Sequence, residues 1–398
     1  MKLAVFGEAL TYPPKEGITA HVFSFLESLK DTNISPVLLL ADRGFIKKSV
    51  IANFNWPTML INPSIFYDYE EMKKILDEIA PDALQSYNVY QARLIAARYS
   101  FERKLPLIFE HHDIEEHLAE FLGLSKDITN KNTNSQLELA AMASLNRVMS
   151  YSDHKYLVKR IPQGVNTIKH IPVGIADEFK DLDVSKRDIR SLVFIGNGAY
   201  APNHQAIRHI IENIAPEMPE YSFHIAGRMT DKLALGAPKN VTGYGMVEDL
   251  GEIYSKASFG LVPLAAGSGM KIKILSYLSA GLPVFGTKIS FKGIAANEAL
   301  IECSTTEFPI KIRKEIINKN YAHLSGQARK LYVQNFNSAK IVADIERLYS
   351  KLTFSPSAER SAFQPIERDD SRLAWIHESR ENVHPITKGV KYFKGRQK

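Results

Sequence analysis

The sequence predicts an α/β fold made of two successive, largely parallel blocks that leave a cleft between them. Three observations predict it. Short apolar or β-branched runs alternate with amphipathic stretches along most of the chain. A charged segment near the middle interrupts that rhythm once. The 398 residues, 45% hydrophobic and 24% charged, suffice for two medium cores.

In the first block, strands are expected at Leu3–Phe6, Pro36–Leu40, Thr58–Ile61, Ala83–Ser86, Leu107–Glu110, Arg147–Ser150 and Ile168–Pro172. Amphipathic stretches such as His21–Leu29, Tyr69–Ile79 and Tyr90–Tyr99 lie between them. The opening Met1–Gly7 is soon followed by Glu8, Pro13 and Pro14, so it reads as a strand rather than a secretory signal. Gly174–Arg190 is rich in Asp, Lys and Arg and poor in large apolar residues, as a linker should be. The second block alternates again, with strands at Leu192–Ile195, Ser222–Ala226, Asn240–Thr242, Phe259–Val262, Pro283–Phe285 and Leu300–Glu302. The expected organisation is a first domain over 1–176, a linker over 177–190, a second domain over 191–352 and a basic tail over 353–398. The last eleven residues of that tail, Lys388–Lys398, hold five basic side chains, no acid and the pair Tyr392–Phe393. Such a tail suits either a solvated, disordered end or contact with an anionic membrane.

Composition narrows the chemistry. No apolar run approaches the ~20 residues that span a bilayer. A single cysteine, Cys303, excludes an intramolecular disulfide and argues against a cysteine-based metal site, so a reducing, cytoplasmic setting is expected. A net charge of +6 allows an anionic partner. No finger or ribonucleoprotein motif accompanies it, so nucleic acid is not the expected partner.

The densest chemical signal is Phe259–Val284. A strand ends near Pro263, a Gly-Ser-Gly loop follows at Gly267–Gly269, and a helix is expected over Met270–Ala280, capped by Gly281 and stopped by Pro283. Small residues at a helix start let phosphate oxygens reach free backbone N–H groups, where the helix dipole also favours an anion. Lys271 and Lys273 add positive charge there. At helical spacing Gly269, Lys273, Ser276 and Ala280 share a small, polar face, while Lys271 falls within the apolar arc of Ile272, Ile274, Leu275 and Leu278. A lysine in that arc either snorkels or meets a buried phosphate.

This segment resembles the donor-binding region of glycosyltransferase family 4, with its Gly-Ser-Gly-Thr-Arg-x-Lys-x-Leu-Glu loop and helix. Four other stretches resemble that family in the right order: Lys169–Ala176, Val193–His204, His224–Arg228 and Gly243–Phe259. The resemblance runs from near the N-terminus to about Leu352 and implies the GT-B architecture, two Rossmann-like domains facing across a cleft. It implies a metal-independent hexosyltransferase that retains anomeric configuration and takes a nucleoside diphosphate sugar as co-substrate, with no cofactor. The acceptor it implies is a glycan or lipid-linked glycan of bacterial polysaccharide assembly, at the inner membrane face.

The same resemblance assigns site residues. Ile108-Phe-Glu-His-His-Asp-Ile-Glu resembles the family's Asp-x-His-Asn/Asp-x-Glu segment and places His112 against the transferred sugar. Gly17, at the start of the first long helix, stands where the family brings a glycine loop near the diphosphate and acceptor, although a simple turn explains it equally. Donor binding falls to Asn197, Gly198, Arg228, Gly267, Ser268, Gly269, Lys271, Lys273 and Ser276. Two departures stand out. Ser268 and Ser276 occupy the positions of the family's paired glutamates, and a serine cannot make the charge-assisted bond to a ribose that a carboxylate makes. The arginine and lysine many members carry after the second domain's first strand are missing from Asn197–His204.

Three decoys are set aside. Gly196-Asn-Gly-Ala-Tyr-Ala201 matches a dinucleotide fingerprint, but Pro202 interrupts the helix start and the next strand ends in Gly227-Arg228 rather than an acid. Asp181 and Asp183 form an Asp-x-Asp within the linker, not at a strand end. His111, His112 and His117 do not share a helical face, so no metal site is expected of them. Two other functions stay open: a catalytically inactive glycosyltransferase-like protein binding nucleotide, glycan or a partner subunit, and a sugar-nucleotide epimerase of the same architecture.

Overall fold

The computed structural model describes residues 1–8, 10, 17–162, 167–185, 187–267, 270–317, 321–354, 366 and 368. The described residues divide into two compact units, one made of those in 1–176 with those from 336 to 368, the other of those in 177–335.

The first unit holds a seven-stranded sheet made of β1 (Lys2–Gly7), β2 (Ser35–Ala41), β3 (Thr58–Ile61), β4 (Ala83–Ser86), β5 (Leu107–His111), β6 (Leu145–Val148) and β7 (Ile168–His170), in the order β3-β2-β1-β4-β5-β6-β7. Every pairing is parallel. Strands buried on both faces must be nearly continuous apolar runs, as Leu3–Phe6 and Leu38–Ala41 are. The connecting helices are locally well specified. Tyr69–Ile79, for example, starts at Asp68, whose side chain accepts from Glu71 N, and buries Tyr69, Met72 and Leu76.

The second unit repeats the plan with six parallel strands: β8 (Asp188–Ile195), β9 (Ser222–Ala226), β10 (Val241–Gly245), β11 (Ala257–Val262), β12 (Val284–Gly286) and β13 (Leu300–Glu302). Their order is β10-β9-β8-β11-β12-β13. Both sheets therefore reverse direction beside their first strand, between β1 and β4 and between β8 and β11. The carboxyl ends flanking such a reversal are where open α/β sheets bind ligands.

All thirteen expected strands form. The boundaries expected for the domains differ in two places. Residues 177–190 are not a free linker: they group with the second unit, β8 starts at Asp188, and Arg187 donates to the carbonyls of Tyr254 and Ala280. At the other end, the helix Ser338–Tyr349 groups with the first unit. Its stripe Ile341, Val342, Ile345 and Tyr349 is buried with Leu3, Val22, Phe25 and Leu26 in one core. Amphipathicity shows that a helix has a buried face but not which sheet it covers. Of the expected tail, the stretch from Ser355 onward lies outside the described residues apart from Ile366 and Arg368.

Candidate functional site

In the first unit the polar centre is built on β5. Successive side chains of a strand point to opposite faces, so Glu110 and His112 share a side while His111 faces the other way. Glu110 is buried, and its two carboxylate oxygens take four donors. Oε1 meets His21 Nε2 at 2.5 Å and His112 Nε2 at 2.7 Å. Oε2 accepts from Arg147 Nη1 and from Gln85 Nε2, each at 3.0 Å. Burial alone would raise the Glu110 pKa, but the Arg147 charge and the histidine contacts outweigh it and hold the carboxyl well below its usual range. Burial lowers the pKa of His21, against the pull of Glu110. Gln85 in turn accepts from Tyr349 Oη at 2.9 Å, on the helix that returns to this unit.

The His112 ring is held from further sides. Tyr87 stacks on its face at 4.8 Å and 9°, and His21 meets it edge-on at 5.4 Å. Tyr87 Oη also donates to the carbonyl of Glu8 at the end of β1. Glu8 pairs with Arg43, beyond β2, at 3.1 Å, and both side chains are almost fully buried. Polar groups thus gather at the carboxyl ends of β1, β2, β4 and β5, around the reversal of the sheet. His111 is structural: it bonds Asn146 and Gln136, and burial lowers its pKa to about 4. His117 packs on Tyr156.

The ligand atoms of His21, Glu110 and His112 lie within 4.8 Å of one another, a possible metal-holding group that the spacing of His111, His112 and His117 did not foreshadow. Arg147 on the same carboxylate already balances its charge, which disfavours adding a divalent cation.

In the second unit the corresponding place is the reversal between β8 and β11. Gly196 and Gly227, at the ends of β8 and β9, approach so closely that a Cβ on Gly227, at φ +128°, would sit 2.2 Å from the Gly196 carbonyl oxygen. Gly198 N donates to Arg228 O, and a Cβ there would press on Leu233 at 2.7 Å. Gly227, at the end of β9, is thus the glycine that lets the turns after β8 and β9 pack together. Asn197 Oδ1 accepts from Ala199 N, and the Asn197 carbonyl accepts from Asn203.

The helix after β11 runs over Ile272–Ser279. Lys271 precedes it in extended conformation and so is not part of its apolar arc, which corrects the helical-face reading of that residue. Its Nζ lies 3.5 Å from the carbonyl of Gly267, a glycine at φ +131°. Lys273 is the lysine that turns inward. Its ammonium lies 4.1 Å from the centre of the Phe194 ring and 2.7 Å from Asn203 Oδ1, and a Cβ on Gly196 would meet it at 2.9 Å. Burial, with the like charge of Lys271 added, lowers its pKa to about 7. Lys273 therefore brings a cation to the loop after β8, the place where Asn197–His204 lacks the basic residues of the resembled family. Ser276 bonds the buried Tyr254 hydroxyl at 2.9 Å. Ser268 and Gly269 lie outside the described residues.

The structure thus brings Asn197, Gly198, Arg228, Gly267, Lys271 and Lys273 to the carboxyl end of the second sheet, and His112 to that end of the first, while Ser276 lies further along the helix against Tyr254. Gly17 opens the first long helix, Gly17–Ser28, which carries His21. Sequence reasoning did not identify His21, Gln85, Arg147 or Tyr349. They lie far from His112 along the chain, and their only local signal is a polar residue within or beside an apolar run. In the charged segment, Asp183 accepts from Ser185 N in a local turn.

Residues 189–314 match the family described as glycosyl transferases group 1. No curated protein sequence matches the chain. Among solved structures, Anabaena HepE in complex with UDP and glucose is 16% identical, covering 88% of this chain and 100% of its own at a TM-score of 0.66. The pneumococcal O-GlcNAc transferase GtfA in complex with UDP and GlcNAc is 11% identical, covering 88% and 99% at 0.66. A glycosyltransferase from Rickettsia africae is 12% identical, covering 88% and 98% at 0.65. The chain has the fold of the GT-B glycosyltransferases, as its resemblance to family 4 implied.

Proposed function

We propose that this chain is a glycosyltransferase that moves a sugar from a nucleoside diphosphate sugar to an acceptor hydroxyl. The observation that carries the reading is Lys273. A largely enclosed ammonium beside a strand-end loop, with one neutral side-chain acceptor among the described residues and a second lysine nearby, is a poor structural device and a good diphosphate ligand. Lys271, Lys273, Arg228 and the backbone of the Gly267 loop would stabilise the departing diphosphate, in the role a metal ion plays elsewhere. His112 of the first unit would position the sugar and stabilise positive character at its anomeric carbon, with retention of configuration. UDP is the first nucleotide to try, because HepE and GtfA are complexed with it. The acceptor we propose is a glycan or lipid-linked glycan of bacterial polysaccharide assembly, met in the cytoplasm at the inner membrane face. Among the described residues no helix is long and apolar enough to cross a membrane.

The experiment is to incubate the protein with UDP-, GDP-, ADP- and TDP-sugars, with and without glycan acceptors, and follow nucleotide release. Release that His112→Ala abolishes supports transfer. Nucleotide binding without release or transfer from any donor supports instead an inactive, nucleotide-binding relative. That second reading is favoured by Ser276, which replaces a carboxylate and has its hydroxyl engaged by Tyr254.

A further inference from the structure

A carboxylate buried with four donors raises the question of what so much anchoring accomplishes. Glu110 has its charge matched by Arg147 on one oxygen, so folding alone does not require two histidines on the other. His21 and His112 nevertheless converge on Oε1 from separate elements, a helix and a strand end. Both must present Nε2–H to it, because an ionised carboxylate only accepts. That choice leaves Nδ1 of a neutral His112 as a lone pair, with no hydrogen bond to a described residue.

We propose that His21 is a positioning residue for His112: through the shared oxygen of Glu110 it fixes the tautomer and the direction of the His112 ring. The inference rests on the reading that His112 faces the transferred sugar. Three features support it. The His21 ring lies edge-on against His112, so it limits rotation as well as sharing the acceptor. The chain of bonds continues outward from Glu110 through Gln85 to Tyr349, so the carboxylate itself cannot swing. Finally, His21 Nδ1 and Arg147 Nε are buried with no hydrogen-bond partner among the described residues, and both residues line a cavity of about 10 Å³. That is room for one water, which would accept from Arg147 Nε–H and donate to His21 Nδ1. Such a water locks His21 in the tautomer that its bond to Glu110 needs.

The test compares His21→Leu, which keeps apolar packing but cannot donate, with His21→Gln, which can donate but packs less well. Sugar-nucleotide turnover, donor KM, UDP affinity and thermal unfolding are measured for both, with His112→Ala beside them. Positioning predicts that His21→Leu loses turnover roughly 10- to 100-fold with donor KM and UDP affinity little changed. His21→Gln then retains more turnover than His21→Leu. A packing role predicts the opposite ranking, and that ranking, or unchanged turnover in His21→Leu, overturns the proposal. If His112→Ala keeps full turnover, the placement of His112 falls and the proposal with it. If His112→Ala is inactive while His21→Leu is not, only the proposal falls. Tyr349→Phe, the milder outer variant, serves if the His21 variants do not fold, and should reduce turnover without changing UDP affinity; unchanged turnover there counts against the proposal. A readout free of turnover is the imidazole 15N spectrum. His112 should be a single Nε2–H tautomer in the wild type and a mixture in His21→Leu, and identical spectra contradict the inference.

Discussion

The two strand-end centres are opposites in their electrostatics. In the first unit a buried anion, Glu110, has more donors than its charge requires. In the second an enclosed cation, Lys273, has a neutral amide oxygen and the face of a phenyl ring. The first arrangement is finished by the protein itself, and so it can hold a ring still. On the proposed reading the second would be completed by an anion from outside, and so could hold a diphosphate. Similar folds and the same sheet position would thus serve rigidity in one unit and binding in the other.

The largest expected effect comes from breaking the finished centre. Glu110→Ala leaves Arg147 buried and unpaired and should cost about 3–5 kcal/mol, read by denaturant unfolding. A cost below about 1 kcal/mol would mean that water reaches the site. Next comes acid. His111 and His21 have pKa values below the usual range for histidine in the fold, so the unfolded chain binds more protons as pH falls below about 6.5. Stability should therefore fall from about pH 6.5 towards pH 4, by on the order of 3 kcal/mol for His111 alone. Glu110, whose pKa is depressed, loses its contribution only at still lower pH. An unfolding midpoint that is flat between pH 7 and 4.5 contradicts this ordering.

Effects at the unfinished centre should be smaller on stability and larger on binding. Lys273→Ala should weaken diphosphate binding by roughly 10- to 100-fold, the worth of one charge-assisted contact. Because the Lys273 pKa is lowered to about 7, an arriving anion should draw a proton onto it. Affinity then falls as pH rises through that value, and calorimetric enthalpies differ between Hepes and Tris by the ionisation heat of the proton taken up. Ser276→Ala should be the mildest change, about 1 kcal/mol of stability for the bond lost to Tyr254.

The difference between the centres also explains what the sequence could reveal. The lysine loop was legible because its parts are contiguous: strand, glycines, lysines and helix follow one another between Phe259 and Val284. Even there, the inward lysine was mistaken, since a helix expected from Met270 starts at Ile272 and takes Lys271 off its face. The histidine centre was legible only at His112. Its partners come from a helix, two other strands and the returning helix, and no local period links His21, Gln85, Arg147 and Tyr349. The strands were plain because a doubly covered parallel sheet needs uninterrupted apolar runs. The returning helix is expected in the second unit from its place in the chain, because its stripe names no partner.

The most direct measurement of the central claim is calorimetric titration of UDP, then GDP, ADP and TDP, into the wild type, Lys271→Ala, Lys273→Ala and Lys288→Ala. One nucleotide should bind, Lys273→Ala and Lys271→Ala should lose most of that affinity, and Lys288→Ala, beyond the loop, should not. Equal losses in all three variants, or no binding of any nucleotide to the folded wild type, would contradict it.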